Sequence, residues 1–169
     1  VIPERWGQER GLDVASSQAT LAPMFKEVRG TLDWYCLDFW SQQLSLDIPT
    51  IKSAYAEGIR WRPQAETFLR HLQTSHLDVV LITNAHPATL AMKVDRLPLA
   101  QWFHHMVSSH DYGAPKETTR FWDTLMAERP FDPERTLFVD DSEYVLDAAL
   151  AYGISHLITL RQPDSTVAP

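Results

Sequence analysis

Two adjacent aspartates, Asp140 and Asp141, directly follow the short apolar run of residues 137–139. A run of this kind predicts a buried strand, so the pair would lie at its carboxyl end. Adjacent like charges there cost free energy unless a cation or a lysine compensates them. Mg²⁺ prefers oxygen ligands, and the pair therefore predicts a magnesium site. Helix capping by Asp141 or Ser142 is the alternative, and it leaves the other aspartate unexplained.

A second polar group, Thr83 and Asn84, stands at the end of the β-branched run of residues 78–83, before a helix predicted to begin near Pro87. A hydroxyl and free backbone amides at a helix start can donate to a phosphoryl oxygen. An N-cap role explains the same residue types without any ligand. His86 could contact a phosphate or a ribose, although a lone histidine is commonly structural. The same two interpretations apply to His110.

Lys116 follows a Gly-Ala-Pro turn and precedes a predicted helix. A lysine held at such a turn can neutralise a carboxylate or an anionic substrate as a compact point charge. The alternative is a solvated lysine without a specific partner. The intervals between Thr83, Lys116 and Asp140 are each about one helix–strand unit long, so all three are predicted at one edge of a parallel sheet.

The elements that must position these residues change in character along the chain. Residues 1–60 carry only helical patterns, including an aromatic-rich stretch at 32–44 that would be buried on most of its surface. Residues 61–169 alternate helices with strands near 78–83, 106–109, 136–139 and 155–160, and the tail from Gln162 is expected to fray. This pattern predicts an α/β fold with a helical cap (1–60) and a Rossmann-like parallel sheet (61–169).

Composition limits the possible partners. The chain has 169 residues, a formal charge of −7 and a pI near 5.4, which argues against nucleic acid or an anionic membrane as a partner. No apolar run approaches the length of a membrane helix. The single cysteine, Cys36, excludes an internal disulfide framework and fits a reducing compartment, so we expect a cytoplasmic protein. Since aromatic residues flank it, Cys36 is interpreted as a small buried hydrophobe.

The order of these motifs resembles the second, third and fourth motifs of the haloacid dehalogenase superfamily. In that family a Ser or Thr follows one strand, a Lys precedes a helix, and an acidic pair follows a further strand. The segments TLDWYCLDFWSQQLSLDI (31–48), LITNAHPATLAMK (81–93) and GAPKE (113–117) resemble its bacterial GMP/IMP nucleotidase branch. The resemblance covers nearly the whole chain.

This resemblance implies a Mg²⁺-dependent phosphomonoester hydrolase whose substrate is a small phosphorylated molecule, such as a purine nucleoside 5′-monophosphate. Thr83 would hydrogen-bond the transferring phosphoryl group. Asn84 and His86 are expected to contact substrate because of their position beside Thr83, not because of the resemblance. Lys116 would orient the nucleophile and stabilise charge. Asp140 would ligate Mg²⁺, and Asp141 would support the metal through water or by pairing with Lys116.

The first motif of the family, Asp-x-Asp followed by Gly-Thr, has no counterpart in these residues. Its first aspartate would form an aspartyl-phosphate and its second would protonate the leaving alcohol. The strand that carries this motif is central in the family's sheet, so its absence would leave a gap and expose apolar strand edges. We therefore expect a fragment that is inactive by itself.

Other functions account for parts of the pattern. A metal-free haloacid dehalogenase shares the fold, but it has no use for two adjacent carboxylates. A non-catalytic regulatory or binding protein would be favoured if the complete reading frame also lacked Asp-x-Asp. A flavodoxin-like or receiver-like domain would carry its acidic cluster near the start of the chain and no helical cap. In the cap, Trp34, Tyr35 and Trp40 could stack on a purine or form core.

Overall fold

A computed structural model describes residues 1–160 and 162. Its helices are α1 (Ile2–Gln8), α2 (Val14–Val28), α3 (Leu32–Tyr35), α4 (Leu37–Leu44), α5 (Ile48–Ser53), α6 (Ala65–Gln73), α7 (Pro87–Arg96), α8 (Thr119–Glu128) and α9 (Glu143–Tyr152), and its strands are β1 (Val80–Thr83), β2 (His105–Ser108), β3 (Leu137–Asp140) and β4 (His156–Thr159). The first strand begins at Val80, so the predicted change from helices to mixed structure is confirmed. The fraying predicted for the tail concerns residues 163–169, which lie outside the described residues.

By its internal contacts the chain divides into two compact units. The first is Val1–Asp111 and the second begins at Tyr112. Each unit contains one pair of strands, and each is considered by itself below. The boundary near residue 60 predicted between cap and core separates helical from mixed structure, and as a domain boundary it stays a prediction.

The helical part of the first unit has its own apolar core. Its buried members are Leu21, Leu37, Trp40, Leu44, Leu46 and Ile48. Leu37, Trp40 and Leu44 share one face of α4 because their spacing matches the helical period. The ring of Trp40 meets that of Phe25 edge-on at 5.1 Å, and its Nε1 donates to the carbonyl of Trp34 at 2.9 Å. Trp40 is therefore a core residue, which favours the structural interpretation of this aromatic.

The aromatic-rich stretch is interrupted at Cys36. The residue has extended backbone (φ −82°, ψ 120°) and ends α3, and its Sγ accepts the Phe39 N–H at 3.4 Å at the start of α4. The interpretation of Cys36 as a buried hydrophobe is wrong in one respect, because the residue is only half-buried and its sulfur serves as a helix cap.

The strands pair in parallel, as predicted. β1 pairs with β2, with Thr83 opposite Ser108, and β3 pairs with β4, with Asp140 opposite Thr159. Within residues 1–160 and 162 they form two separate two-stranded sheets rather than one sheet. The single sheet predicted from the sequence is therefore not observed among these residues.

The prediction that β3 is a buried strand is correct for only one of its faces. Phe138 is 8% exposed and meets the ring of Trp122 on α8 at 5.2 Å. Leu137 and Val139 remain 50% and 40% exposed. Because alternate residues of a strand point to opposite faces, the helices that cover Phe138 leave these two side chains open. In the described part of the chain, no helix is both long enough and apolar enough to cross a bilayer.

Candidate active site

Thr83 is the last residue of β1, and Asn84 and His86 follow it in the loop before α7. The Thr83 hydroxyl oxygen accepts the Ala85 N–H at 3.1 Å, and Asn84 is buried. The N-cap of α7 is His86, whose Nδ1 accepts the Ala88 N–H at 3.3 Å. The capping interpretation is therefore wrong for Thr83 and Asn84, and their ligand roles stay predictions.

The loop after β2 holds the first loop in place. The Ser109 N–H donates to the Thr83 carbonyl at 2.8 Å, and the buried Ser108 hydroxyl donates to the Ala85 carbonyl at 2.8 Å. The same hydroxyl oxygen accepts the His110 N–H at 3.2 Å. These bonds hold the two loops in register, so the end of β1 is supported by a rigid neighbour.

In the second unit, Lys116 and Asp140 form a buried ion pair. The Lys116 ammonium donates to Asp140 Oδ2 at 2.5 Å, and the two side chains are 8% and 10% exposed. The other oxygen, Oδ1, accepts the Ser142 N–H at 2.9 Å. The indole of Trp122 donates to the Lys116 carbonyl at 2.9 Å and so holds the turn. Lys116 is not a solvated lysine, and that alternative is excluded.

A parallel α/β arrangement with a lysine paired to a carboxylate at a strand end is the geometry that the superfamily resemblance implies. The sequence pattern of the haloacid dehalogenase-like hydrolase family matches residues 38–159. The chain belongs to this family. The α/β fold class and the assignment as a hydrolase of this family are thereby confirmed.

Curated relatives of this hydrolase carry a more specific description. It is 37% identical over 168 residues to the GMP/IMP nucleotidase YrfG of Escherichia coli and equally to that of Shigella flexneri, and the match covers 99% of the chain and 76% of each relative. A crystal structure of an HAD phosphatase from Thermococcus onnurineus has a TM-score of 0.79 over 96% of the chain and 76% of that protein, at 16% identity. This last likeness supports the fold.

The sequence predicts a cation because two adjacent aspartate charges need compensation. In the structure of this hydrolase these charges are compensated without a metal ion. Lys116 already offsets the charge of Asp140, and Asp141 is exposed, so its charge costs little. The N-cap of α9 is Ser142, which removes the capping explanation for Asp141. A carboxylate offers about four lone-pair sites, and the hydrogen bonds from the Lys116 ammonium and the Ser142 N–H use two of those on Asp140. Oxygen lone pairs therefore remain on Asp140 for a hard cation such as Mg²⁺, and the role of Asp140 as a metal ligand stays a prediction.

The structure brings the predicted residues together in two groups. Thr83, Asn84 and His86 share one loop of the first unit, and Lys116 meets Asp140 in the second. The approach of the first group to the second, and the roles of all these residues, stay predictions. Sequence reasoning missed Ser108 as the support of the Thr83 loop. A polar residue at the carboxyl end of the neighbouring strand was the signal that could have found it.

His110 has an environment that the sequence did not indicate. Its ring lies 4.9 Å from that of His86 in an edge-on arrangement. Burial, and secondarily the neighbouring His86, lower the pKa of His110 below its ordinary value. Neutral imidazole is the form that binds metals and accepts hydrogen bonds.

Proposed function

We propose that this hydrolase removes phosphate from purine nucleoside 5′-monophosphates, GMP and IMP, with Mg²⁺ as cofactor. The observation that carries the proposal is the buried contact of Lys116 with Asp140 directly after β3. The 37% identity to a GMP/IMP nucleotidase over nearly the whole chain supports the choice of substrate. A small phosphorylated substrate and a cytoplasmic, reducing environment belong to the same proposal.

Thr83 contributes a hydrogen-bond donor. Its oxygen already accepts the Ala85 N–H, so its own O–H proton is directed elsewhere and can donate to a phosphoryl oxygen. Asn84 follows in the same loop and is assigned to substrate contact. The substrate contact predicted for His86 stays a prediction, and it competes with a different role considered in the next subsection.

Lys116 and Asp140 contribute charge. The ammonium is fixed by its contact with Oδ2, so it needs no reorganisation when an anion approaches. Asp140 ligates Mg²⁺ and the exposed Asp141 supports it through water. When bound, the ion supplies electrostatic stabilisation to the charge on the transferring phosphoryl group.

Phosphoryl transfer by this route needs a carboxylate that attacks phosphorus and an acid that protonates the leaving alcohol. These 169 residues contain no Asp-x-Asp, so neither role is assigned to a residue of the chain. The activity test therefore uses the protein purified as its natural host produces it.

The test measures phosphate release from GMP, IMP and a pyrimidine nucleotide, with Mg²⁺ and with a chelator. Asp140→Asn should lower kcat/KM by about 100-fold or more, a loss typical of a preorganised electrostatic group. Asp147→Asn makes the same chemical change on the exposed side of α9 and should leave kcat/KM unchanged. Hydrolysis unaffected by chelator would remove Mg²⁺ from the proposal, and no hydrolysis of either purine nucleotide by a folded protein would refute it.

A further inference from the structure

Cys36, His86 and His110 converge in the first unit although they come from separate segments. Cys36 lies between α3 and α4, His86 follows β1, and His110 follows β2. One potential ligand atom of each lies within 4.8 Å of the other two, and all three residues are half-buried. No role in the proposed phosphate chemistry requires the thiol or His110.

The contact of His110 with Ser108 favours one of the two tautomers of its ring. The Ser108 hydroxyl donates its proton to the Ala85 carbonyl. Its oxygen lies 3.5 Å from His110 Nδ1 and can therefore only accept a hydrogen bond from it. This contact favours the tautomer of neutral His110 that carries its proton on Nδ1, in which Nε2 presents a lone pair. This Nε2 is buried and has no hydrogen-bond partner among the described residues. A buried polar atom without a partner calls for a ligand.

We propose that Cys36, His86 and His110 bind a transition-metal ion of the zinc class, and that this ion links the start of α4 to the loops after β1 and β2. The proposal does not rest on the proposed nucleotidase function, but it gives His86 to the metal and so competes with the substrate contact predicted for that residue.

The donor set selects the metal. One sulfur and two imidazole nitrogens suit Zn²⁺ or Co²⁺, whereas Mg²⁺ requires oxygen ligands. Tetrahedral zinc with bonds of about 2.0–2.1 Å to nitrogen and 2.3 Å to sulfur places its ligand atoms roughly 3.3–3.6 Å apart. The ligand atoms lie within 4.8 Å of one another, so closure requires shifts of about 1 Å, which side-chain rotation supplies.

The surroundings of the cluster offer a fourth ligand for the metal ion. Metal binding also breaks one existing hydrogen bond. Asp38 Oδ2 lies 3.8 Å from His86 Nε2 and is exposed, so Asp38 or water can complete the site. If His86 binds through Nε2, its proton moves to Nδ1, and the 3.3 Å contact with the Ala88 N–H is lost. That contact is long for a hydrogen bond, and the Ala88 amide can turn to water instead.

Cobalt titration of the metal-free protein tests the site without reference to activity. The chain contains one cysteine, so a thiolate-to-cobalt charge-transfer band can arise only from Cys36. We expect that band in the near ultraviolet together with strong visible bands of a tetrahedral ion, saturating at one equivalent. One equivalent of Zn²⁺ should abolish both and should protect Cys36 from alkylation.

Matched variants separate the site from general effects. Cys36→Ser keeps an acceptor for the Phe39 N–H and should fold, but it should lose the charge-transfer band. His110→Gln should weaken Co²⁺ binding by at least tenfold. The exposed His76→Gln and the Asp140→Asn variant should bind as the parent does, which distinguishes failure here from failure of the Mg²⁺ proposal.

Three outcomes would overturn the inference. The first is the absence of the charge-transfer band in the folded parent protein. The second is equal Co²⁺ affinity in the parent and in His110→Gln. The third is protection of Cys36 from alkylation by GMP but not by Zn²⁺, which would assign the cluster to the substrate site.

Discussion

Replacing Lys116 with methionine should destabilise the protein strongly, because it leaves the Asp140 carboxylate buried without its counter-charge. At the observed 2.5 Å separation, an effective dielectric constant of 20 gives a gross attraction of about 7 kcal/mol. Much of this offsets the cost of removing two charges from water. With side chains only 8% and 10% exposed, loss of one partner should lower the free energy of unfolding by about 3–5 kcal/mol.

The assay is urea unfolding followed by circular dichroism and tryptophan fluorescence. Trp122 is buried and donates to the Lys116 carbonyl, so it adds a signal from this region to the summed emission of the six tryptophans. The double variant Lys116→Met/Asp140→Asn should lose less stability than Lys116→Met alone, because no unpaired charge remains. Millimolar Mg²⁺ should stabilise Lys116→Met more than the parent if a cation can replace the ammonium beside Asp140.

An exposed ion pair provides the matched control. Arg70 and Glu66 on α6 are 3.2 Å apart, with side chains 66% and 45% exposed, and solvent screens their attraction. Arg70→Met should therefore cost at most about 0.5 kcal/mol. The reasoning is refuted if Lys116→Met costs no more than this control. It is also refuted if the stability losses of Lys116→Met and Asp140→Asn add up to that of the double variant within about 0.5 kcal/mol.

Three further predictions concern the scaffold of the first unit. Ser108→Ala leaves the Ala85 carbonyl without its buried donor and should cost about 1–3 kcal/mol in urea unfolding, and a loss near zero would show that water replaces the bond. Leu44→Ala empties a core position that is 1% exposed and should cost about 2–5 kcal/mol, whereas Leu12→Ala, at 39% exposed, should stay within about 0.5 kcal/mol. A backbone N–H bonded to its carboxylate holds the pKa of Asp13 below its ordinary value, so this cap stabilises the fold above about pH 4 and loses that contribution as the pH falls further. Asp13→Asn keeps an acceptor and should remove this part of the acid dependence of the urea midpoint, and identical pH profiles would contradict the assignment.

Local patterns in the sequence determined the element types and the order of the motifs. Helical spacing, β-branched runs and turn residues act over a few positions, so the strands at Val80–Thr83 and Leu137–Asp140 were located to within one or two residues. The family could be recognised for the same reason, because its motifs are short and lie at strand ends.

Tertiary contacts decided what those local patterns left open. The same lysine pattern fits a solvated or a buried side chain, and only the packing of Lys116 against Asp140 separated the two. The N-cap of α7 is His86. Histidine has a weaker capping preference than threonine or asparagine, the residue types of its neighbours Thr83 and Asn84.

The meeting of Cys36 with His86 and His110 depended on the fold alone. Their separation along the chain is far longer than any helical or strand period, so no local signal links them. The sequence by itself therefore determined the family and the elements, whereas the tertiary structure determined which polar atoms are buried and which of them have partners. The physical reason is that burial and pairing depend on long-range packing, which the residue pattern of a single element does not contain.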